Sequence, residues 1–177
     1  MLFRNGTHAI DLVTFFAESE PQWVVAVLDA AFDGYGPRYA GDGGRDPATD
    51  PGLLGLIGFA NGVRAVYQGS QATLGYSMIE LIGDRGRIHL GLSHDTMQIL
   101  LPGPGGMYDV VSRDFPRTHP TQAALLAVVA EMVALVEHGG QSVSPPREAR
   151  QTLAIMLGFL QSHAEGGVRV ALPVEDR

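Results

Sequence analysis

The chain has 177 residues, 45% of them hydrophobic, and a formal net charge of −7. This length and apolar content predict one globular domain over residues 1–177 and exclude an intrinsically disordered chain. The acidic balance argues against nucleic-acid binding, which usually depends on a basic patch. There are no cysteines, which excludes disulfides and thiolate sites. The absence of cysteine fits the cytoplasmic protein that we expect. No apolar run approaches the length of a membrane span, which argues against membrane association.

The beginning of the chain predicts a helix, a strand and a long loop. Apolar spacing predicts a helix over residues 6–17, with Asn5 as its N-cap. Residues 22–32 are rich in β-branched and aromatic side chains, which favours a largely buried strand. The Gly-, Asp- and Pro-rich residues 33–52 predict a loop whose length is typical of functional or mobile segments.

Three hairpins are predicted in the middle of the chain. Asn61-Gly62 joins two apolar runs, residues 53–60 and 63–69, and this dipeptide is typical of a type I′ turn. The other two hairpins pair residues 76–82 with 87–92 and residues 96–101 with 108–112. In the second hairpin Ile88, Leu90 and Leu92 alternate with Arg87 and His89, which indicates one apolar and one solvated face.

Two helices and a short strand are predicted at the end of the chain. The apolar stripe of the helix over residues 120–138 is Leu125, Val128, Val129, Met132, Leu135 and Val136. The apolar face of the helix over residues 145–164 is Ala149, Leu153, Met156, Leu157 and Leu160. Residues 168–172 are predicted to form a final strand. This order predicts the α+β class, with an open, mainly antiparallel β-sheet and helices on one face.

The motif content indicates little chemistry for the chain alone. No G-x-G-x-x-G fingerprint and no lysine occur, which argues against dinucleotide binding and Schiff-base chemistry. The histidines are scattered without metal-ligand spacing, so no metal site is expected. His8 and Asp11 fall on one helix face at i, i+3 spacing, which suits either a proton shuttle or a structural pair.

The segment Gly6-Thr7-His8-Ala9-Ile10-Asp11-Leu12 resembles the Gly-x-His-x-x-Asp-Leu motif that opens the second domain of Gfo/Idh/MocA oxidoreductases. Residues 79–88 resemble that family's E-x-x-G-x-x-G-x-hydrophobic hairpin, and residues 147–173 resemble its last helix and strand. The matches follow the family's order and cover essentially the whole chain. The dinucleotide-binding Rossmann half, with its Glu-Lys-Pro motif, is expected to be missing.

The resemblance implies the substrate-side and dimerisation domain of an NAD(P)-dependent oxidoreductase of sugar- or cyclitol-like hydroxyl compounds, inactive alone. It implies that His8 is the catalytic proton shuttle and that Arg4, Asn5, Thr7 and Asp11 bind the small-molecule substrate. NAD or NADP would bind only with a Rossmann-domain partner, and no cofactor would bind this chain alone. A homodimer or higher oligomer would form through the free sheet face.

One departure from the family pattern keeps other functions open. Many members carry Asp where this sequence has Arg4. The alternative is a non-catalytic oligomerisation or small-molecule-binding module that retains the fold. A third interpretation is a small stand-alone enzyme that uses His8 and Asp11 as acid and base.

Overall fold

The computed structural model describes residues 2–32, 49–70, 77–91, 96–115 and 124–173. Positions 33–48 of the predicted loop lie outside these residues. The chain divides into two compact units, Met1–Gln71 with Gln141–Arg177 (unit 1) and Ala72–Gly140 (unit 2). The single domain expected from the composition stays a prediction.

The helices and strands of the described residues follow in chain order. They are α1 (Gly6–Ala17), β1 (Pro21–Leu28), β2 (Leu53–Phe59), β3 (Arg64–Gly69), β4 (Met78–Gly83), β5 (Gly86–Gly91), β6 (Thr96–Gly103), β7 (Gly106–Asp114), α2 (Ala124–His138), α3 (Pro146–Ala164) and β8 (Val170–Ala171). Unit 1 has the sheet order β3-β2-β1-β8, and unit 2 has the order β4-β5-β6-β7. The open antiparallel sheets and the helices confirm the predicted α+β class, although the strands divide between two sheets. None of the helices in the described ranges has both the length and the apolar character that crossing a membrane requires.

Helix α1 confirms the prediction over residues 6–17. Its buried side includes Ile10 and Thr14, and the Thr14 hydroxyl donates to the Ile10 carbonyl at 2.9 Å. Asn5 is the N-cap residue, but within the described chain its side chain makes no capping hydrogen bond. The Asn5 side chain is therefore not occupied in capping the helix.

The strand predicted over residues 22–32 is shorter in the structure. Strand β1 ends at Leu28, and Ala30–Phe32 form a 3₁₀ turn. Val24, Ala26 and Leu28 are buried on the side of β1 that packs on α3, while Val27 points away. The alternation of strand side chains thus gives the unit 1 sheet one covered and one uncovered face.

The first predicted hairpin is confirmed, but its predicted turn type is wrong. A type I′ turn needs positive φ at both Asn61 and Gly62. Only Gly62 has positive φ, at 89°, and its amide donates to the Phe59 carbonyl at 3.0 Å. The Asn61 side chain instead accepts from the Val63 amide at 3.1 Å, which stabilises a turn with one glycine in the left-handed region.

Helix α3 provides much of the unit 1 core, on a different face from the one predicted. Leu160 and Met156 are buried as expected, but Leu153 is 52% exposed. Phe159 is fully buried and its ring stacks on Tyr67 with centroids 6.3 Å apart. Gly55 makes room for this ring, since a Cβ there would lie 2.7 Å from Phe159 atoms.

Along the part of β1 that does not pair with β8, side chains at the end of α3 accept hydrogen bonds from the β1 backbone amides. The Ala26 amide donates to Ser162 Oγ at 2.9 Å, and the Leu28 amide donates to His163 Nδ1 at 3.2 Å. The Ser162 hydroxyl donates in turn to the Val168 carbonyl at 2.6 Å. These bonds satisfy backbone groups beyond the two residues of β8, which is shorter than the strand predicted over 168–172.

Unit 2 confirms the second and third predicted hairpins. Strands β4 and β5 pair from Met78–Gly91 to Gly83–Gly86, and β6 pairs with both β5 and β7. Helix α2 confirms the predicted helix from residue 124 onward, while residues 120–123 lie outside the described chain. Of its predicted apolar stripe, only Leu135 is half-buried, and the other members are exposed.

Candidate functional site

Three hydrogen bonds fix the segment that precedes α1. The Leu2 amide donates to the Pro51 carbonyl at 2.9 Å. The Asp50 carboxylate accepts from the Phe3 amide at 2.7 Å and from the Arg4 amide at 3.2 Å. Asp50 is fully buried, so its charge is stabilised by these donors rather than by water. The first turn of α1 therefore starts from a fixed backbone.

The structure brings four of the five predicted site residues together around this turn. The side chains of Arg4, Asn5 and His8 are exposed, and Thr7 is half-buried. Thr7 Oγ1 donates to the Arg4 carbonyl at 3.4 Å. A guanidinium, an amide and an imidazole thus project from one helix N-terminus, where they can bind hydroxyl or anionic groups.

Asp11 is not paired with His8, contrary to the helix-face prediction. Its Oδ1 accepts from Thr152 Oγ1 on α3 at 3.3 Å. The carboxylate lines a cleft of about 230 Å³ between α1 and α3, which also includes Arg147 and Gln151. The Glu20 carboxylate closes one side of this cleft through bonds to both of these side chains. Asp11 therefore orients towards the neighbouring helix rather than fixing the imidazole.

Asp50 is the functional candidate that the sequence analysis missed. The sequence of residues 33–52, which predicts a loop, contains three other aspartates, and no local pattern distinguishes Asp50 from them. Burial, and after it the charge of Asp50, raise the pKa of Tyr67 from 10.0 to about 12. Asp50 thus interacts with the backbone that precedes α1 and, through its charge, with Tyr67 beside the unit 1 core.

Replacing Asp50 tests how strongly it holds this segment. We expect Asp50→Ala to lower the free energy of unfolding by about 2–3 kcal/mol, because two amides lose a charged acceptor. Asp50→Asn keeps one acceptor oxygen and should lose about half as much. The matched control is Asp84→Ala in the exposed β4–β5 turn, which should stay within about 0.5 kcal/mol of the parent in urea unfolding. Equal losses for Asp50→Ala and Asp84→Ala would contradict the assignment.

Tyr67 gives the chain a predictable loss of stability at alkaline pH. Its pKa is raised to about 12, so between pH 10 and 12 the unfolded chain ionises Tyr67 while the folded chain keeps it neutral. Its contribution is complete below pH 10 and is lost as the pH rises to about 12. We expect the urea midpoint of Tyr67→Phe to fall less than that of the parent over this range. Tyr108→Phe, at an exposed position, should behave as the parent, and an equally steep fall in Tyr67→Phe would refute the prediction.

A second cluster of titratable groups lies on the unit 2 sheet. Glu80 Oε1 accepts from Arg87 Nη1 at 2.9 Å and lies 3.0 Å from His89 Nε2. The hydrogen bonds from Arg87 and then His89 hold the pKa of Glu80 below its ordinary value. The strand register continues this row through Gln98 to Asp114 across the sheet. A carboxylate held ionised in this way is poorly suited to act as a general acid.

The described residues do not fit an NAD(P) site of their own. A dinucleotide-binding unit needs parallel strands joined by a helix, with the pyrophosphate at the helix N-terminus. Every strand pair in both sheets of the described chain is antiparallel. In the same residues no three His, Asp or Glu side chains gather as metal ligands.

Solved structures share this fold at low sequence identity. An NAD-binding protein from Listeria innocua is 18% identical with a TM-score of 0.70, over 97% of this chain and 47% of its own. UDP-N-acetylglucosamine 3-dehydrogenase from Acidithiobacillus ferrooxidans is 17% identical with a TM-score of 0.69, over 88% and 46%. The aldose-aldose oxidoreductase from Caulobacter crescentus is 14% identical with a TM-score of 0.70, over 94% and 46%. The chain thus spans about half the length of these proteins.

Sequence comparison identifies the family. No curated protein is significantly similar to the chain. The GFO/IDH/MocA C-terminal domain matches residues 1–89, which is half of the 177 residues and includes α1, the Asp50 segment, β4 and the first part of β5. The chain therefore belongs to the Gfo/Idh/MocA family and carries its C-terminal domain.

Proposed function

We propose that this chain is the substrate-side and dimerisation domain of an NAD(P)-dependent oxidoreductase of sugar- or cyclitol-like hydroxyl compounds, inactive alone. The observation that carries the proposal is the exposure of His8 beside Arg4 and Asn5, on a turn that Asp50 holds in place. Family membership supports it, since two of the similar structures are named as a sugar-nucleotide dehydrogenase and an aldose oxidoreductase.

The proposed role of His8 is proton transfer at a substrate hydroxyl. Imidazole accepts and donates protons near neutral pH, and oxidation of a hydroxyl to a carbonyl releases the hydroxyl proton. Arg4 and Asn5 would donate hydrogen bonds to neighbouring oxygen atoms of the substrate. Thr7 and Asp11 would accept hydrogen bonds from its other hydroxyls. The cofactor would be held by a Rossmann-domain partner.

The test compares the chain alone with a fusion that places a family member's dinucleotide-binding half before Leu2. Aldoses and inositols are supplied with NAD or NADP, and the nicotinamide absorbance is followed. We expect no turnover by the chain alone and turnover by the fusion. Turnover by the chain without nicotinamide would overturn the proposal and favour the stand-alone acid-base enzyme.

The alternative is a non-catalytic oligomerisation or small-molecule-binding module that retains the fold. The observation that favours it is that the Asp11 carboxylate bonds to Thr152 instead of orienting His8. Under this alternative, calorimetry would detect sugar or inositol binding to the chain alone, and His8→Ala would leave that binding unchanged. The fusion would also give no turnover.

For dimerisation we propose the uncovered face of the unit 1 sheet. Val27, Leu54 and Val66 are 58%, 57% and 70% exposed, and they share the face opposite the one that packs on α3. An open apolar sheet face of this kind is typical of a surface that a partner covers. Beside it lies Trp23, the single tryptophan, with Arg169 4.2 Å from its ring centre.

A charge on this face should prevent assembly. We expect Val66→Asp to convert a dimer or higher oligomer to a smaller species at micromolar concentration, because the carboxylate would be buried without a partner. Light scattering gives the mass, and Trp23 fluorescence reports the polarity beside the face. Val63→Asp makes the same change in the adjacent turn and should leave the assembly intact. A monomeric parent chain would refute the proposed dimerisation.

A further inference from the structure

The half-buried His163, in the last turn of α3, bonds to a backbone group that fixes its protonation state. The amide of Leu28, at the end of β1, lies 3.2 Å from His163 Nδ1. A backbone amide can only donate a hydrogen bond, so Nδ1 must be the acceptor and must carry no proton. The ring is therefore neutral while the bond exists, and its proton is on Nε2. Protonation of Nδ1 replaces the acceptor with a second donor and breaks the bond.

The neighbouring bond from α3 to the same strand has no such dependence on protonation. The Ala26 amide, two residues before Leu28, donates to Ser162 Oγ at 2.9 Å. The Ser162 hydroxyl donates in turn to the Val168 carbonyl at 2.6 Å, and a hydroxyl keeps its proton at ordinary pH. Of these two α3 side chains that accept from β1 amides, only the imidazole titrates near neutral pH.

The end of β1 is bonded to the segment that holds the start of α1. The Asp29 amide, next to Leu28, donates to the Gly52 carbonyl at 3.0 Å. Two residues before Gly52, the Asp50 carboxylate accepts from the Phe3 amide at 2.7 Å. The imidazole bond to Leu28 therefore secures a strand end from which the Asp50 segment, and then the first turn of α1, are held in place.

The charged and titratable groups of the neighbouring elements contact other partners. Strands β1 and β8, which pack on α3, contain no such residue. Those of α1, which also packs on α3, and of the adjoining chain are His8, Asp11, Asp29, Tyr67, Glu165 and Arg169. The Asp11 carboxylate bonds to Thr152, about 16 Å before His163 along the helix.

The remaining groups of this set are also placed by the structure. His8 is exposed, and the Asp29 carboxylate lies against Gly52. Glu165 accepts from Gln161 Nε2 at 2.9 Å, and Arg169 lies over the Trp23 ring. The pKa of Tyr67 is about 12, far above the imidazole range. Replacing His163 alone therefore separates its titration from theirs.

We propose that His163 makes unit 1 sensitive to acid, because protonation of its ring releases the Leu28 amide and loosens the Asp50 segment that precedes α1. The bond is present above the ordinary titration range of imidazole, about pH 6.5, and is lost as the pH falls below that range. The unfolded chain binds a proton there that the bonded ring cannot bind, so folding becomes less favourable. The carboxyl end of α3 attracts the charged ring once the bond has opened. This response belongs to the chain alone and does not depend on the proposed enzymatic function.

Hydrogen exchange of single amides in the whole chain tests this response. The protection factors of the Leu28, Phe3 and Ala26 amides are measured by NMR at about pH 7.5 and about pH 5.0, on either side of the imidazole range. We expect the protection factor of Leu28 to fall at least about tenfold at the lower pH, the change in protonation that one pH unit produces, and that of Phe3 to fall with it. Ala26 is the matched control on the same strand, and its protection factor should stay within about twofold.

His163→Asn provides a variant that keeps an acceptor but cannot be protonated. Its amide oxygen lies near the position of Nδ1, so Leu28 should keep the same protection at both pH values. His138→Asn is the control, since His138 also lies in the last turn of a helix but is exposed, and it should respond as the parent does. If His163→Asn does not fold, the ¹⁵N signals of the His163 ring in the parent chain report which nitrogen carries the proton.

Equal protection of Leu28 at both pH values in the parent chain would overturn the proposal. A fall of the same size in His163→Asn would assign the response to other groups and would also overturn it. A proton on Nδ1 at the higher pH would contradict the bond from which the response follows. A fall at Leu28 without a fall at Phe3 would refute the coupling to the Asp50 segment.

Discussion

Replacing His8 by alanine is expected to lower kcat of the fused oxidoreductase by about 10²–10⁴-fold, the usual contribution of a positioned proton-transfer group. His8 is exposed, and among the described residues its side chain makes no hydrogen bond or ion pair. The free energy of unfolding should therefore stay within about 0.5 kcal/mol of the parent. The measurements are steady-state kinetics and urea unfolding of the same preparation.

The control for His8 is another exposed histidine. His138 lies in the last turn of α2, away from Asp50 and α1 in sequence, and His138→Ala should retain the parent kcat. The pH profile gives a second test, since loss of a proton-transfer group should remove one limb of the dependence of kcat/KM on pH. An unchanged profile with an unchanged kcat in His8→Ala would exclude the proton shuttle. It would favour the non-catalytic binding module.

Only the local part of the candidate site could be predicted from the sequence. His8 and its neighbours fall within one helical turn, so their proximity follows from helix geometry alone. Asp50 bonds to backbone amides 46 and 47 positions away, and Asp11 bonds to a hydroxyl 141 positions away. Such contacts depend on the packing of the whole unit, and neither carboxylate has a sequence signal that reports its partner.

The fold, like the candidate site, could be predicted where it depends on residues close together in the sequence, and could not be predicted where it depends on distant ones. The helices and hairpins were predicted at nearly their observed positions, because helical periodicity and turn residues act over a few positions. Whether the strands form one sheet or two depends on which strands pair along their edges, and the strands concerned can lie far apart in the sequence. Asn61-Gly62 predicted the right hairpin but the wrong turn, since one left-handed glycine suffices when the Asn61 side chain closes the loop.

Helix α3 buries three polar residues, Thr152, Gln161 and Ser162, and such residues make a prediction from apolar periodicity select the wrong face. The spacing of Leu153 and Leu157 predicts one apolar face of the helix. The face that the structure buries contains the polar residue Thr152, so in the sequence it does not look apolar. Thr152 tolerates burial because its hydroxyl donates to Asp11. Sequence hydrophobicity alone assigns Thr152 to solvent. The buried face is therefore rotated from the predicted one, with Met156 and Leu160 common to both.

Two leucines of α3 provide the sharpest test of this rotation. Leu160 is fully buried against the unit 1 core, whereas Leu153 is 52% exposed. We expect Leu160→Ala to lower the free energy of unfolding by about 2–5 kcal/mol, through lost burial and the cavity that remains. Leu153→Ala makes the same change in the same helix and should lose less than about 1 kcal/mol. Urea unfolding of both variants measures the difference, and similar losses would mean that α3 buries the face predicted from the sequence.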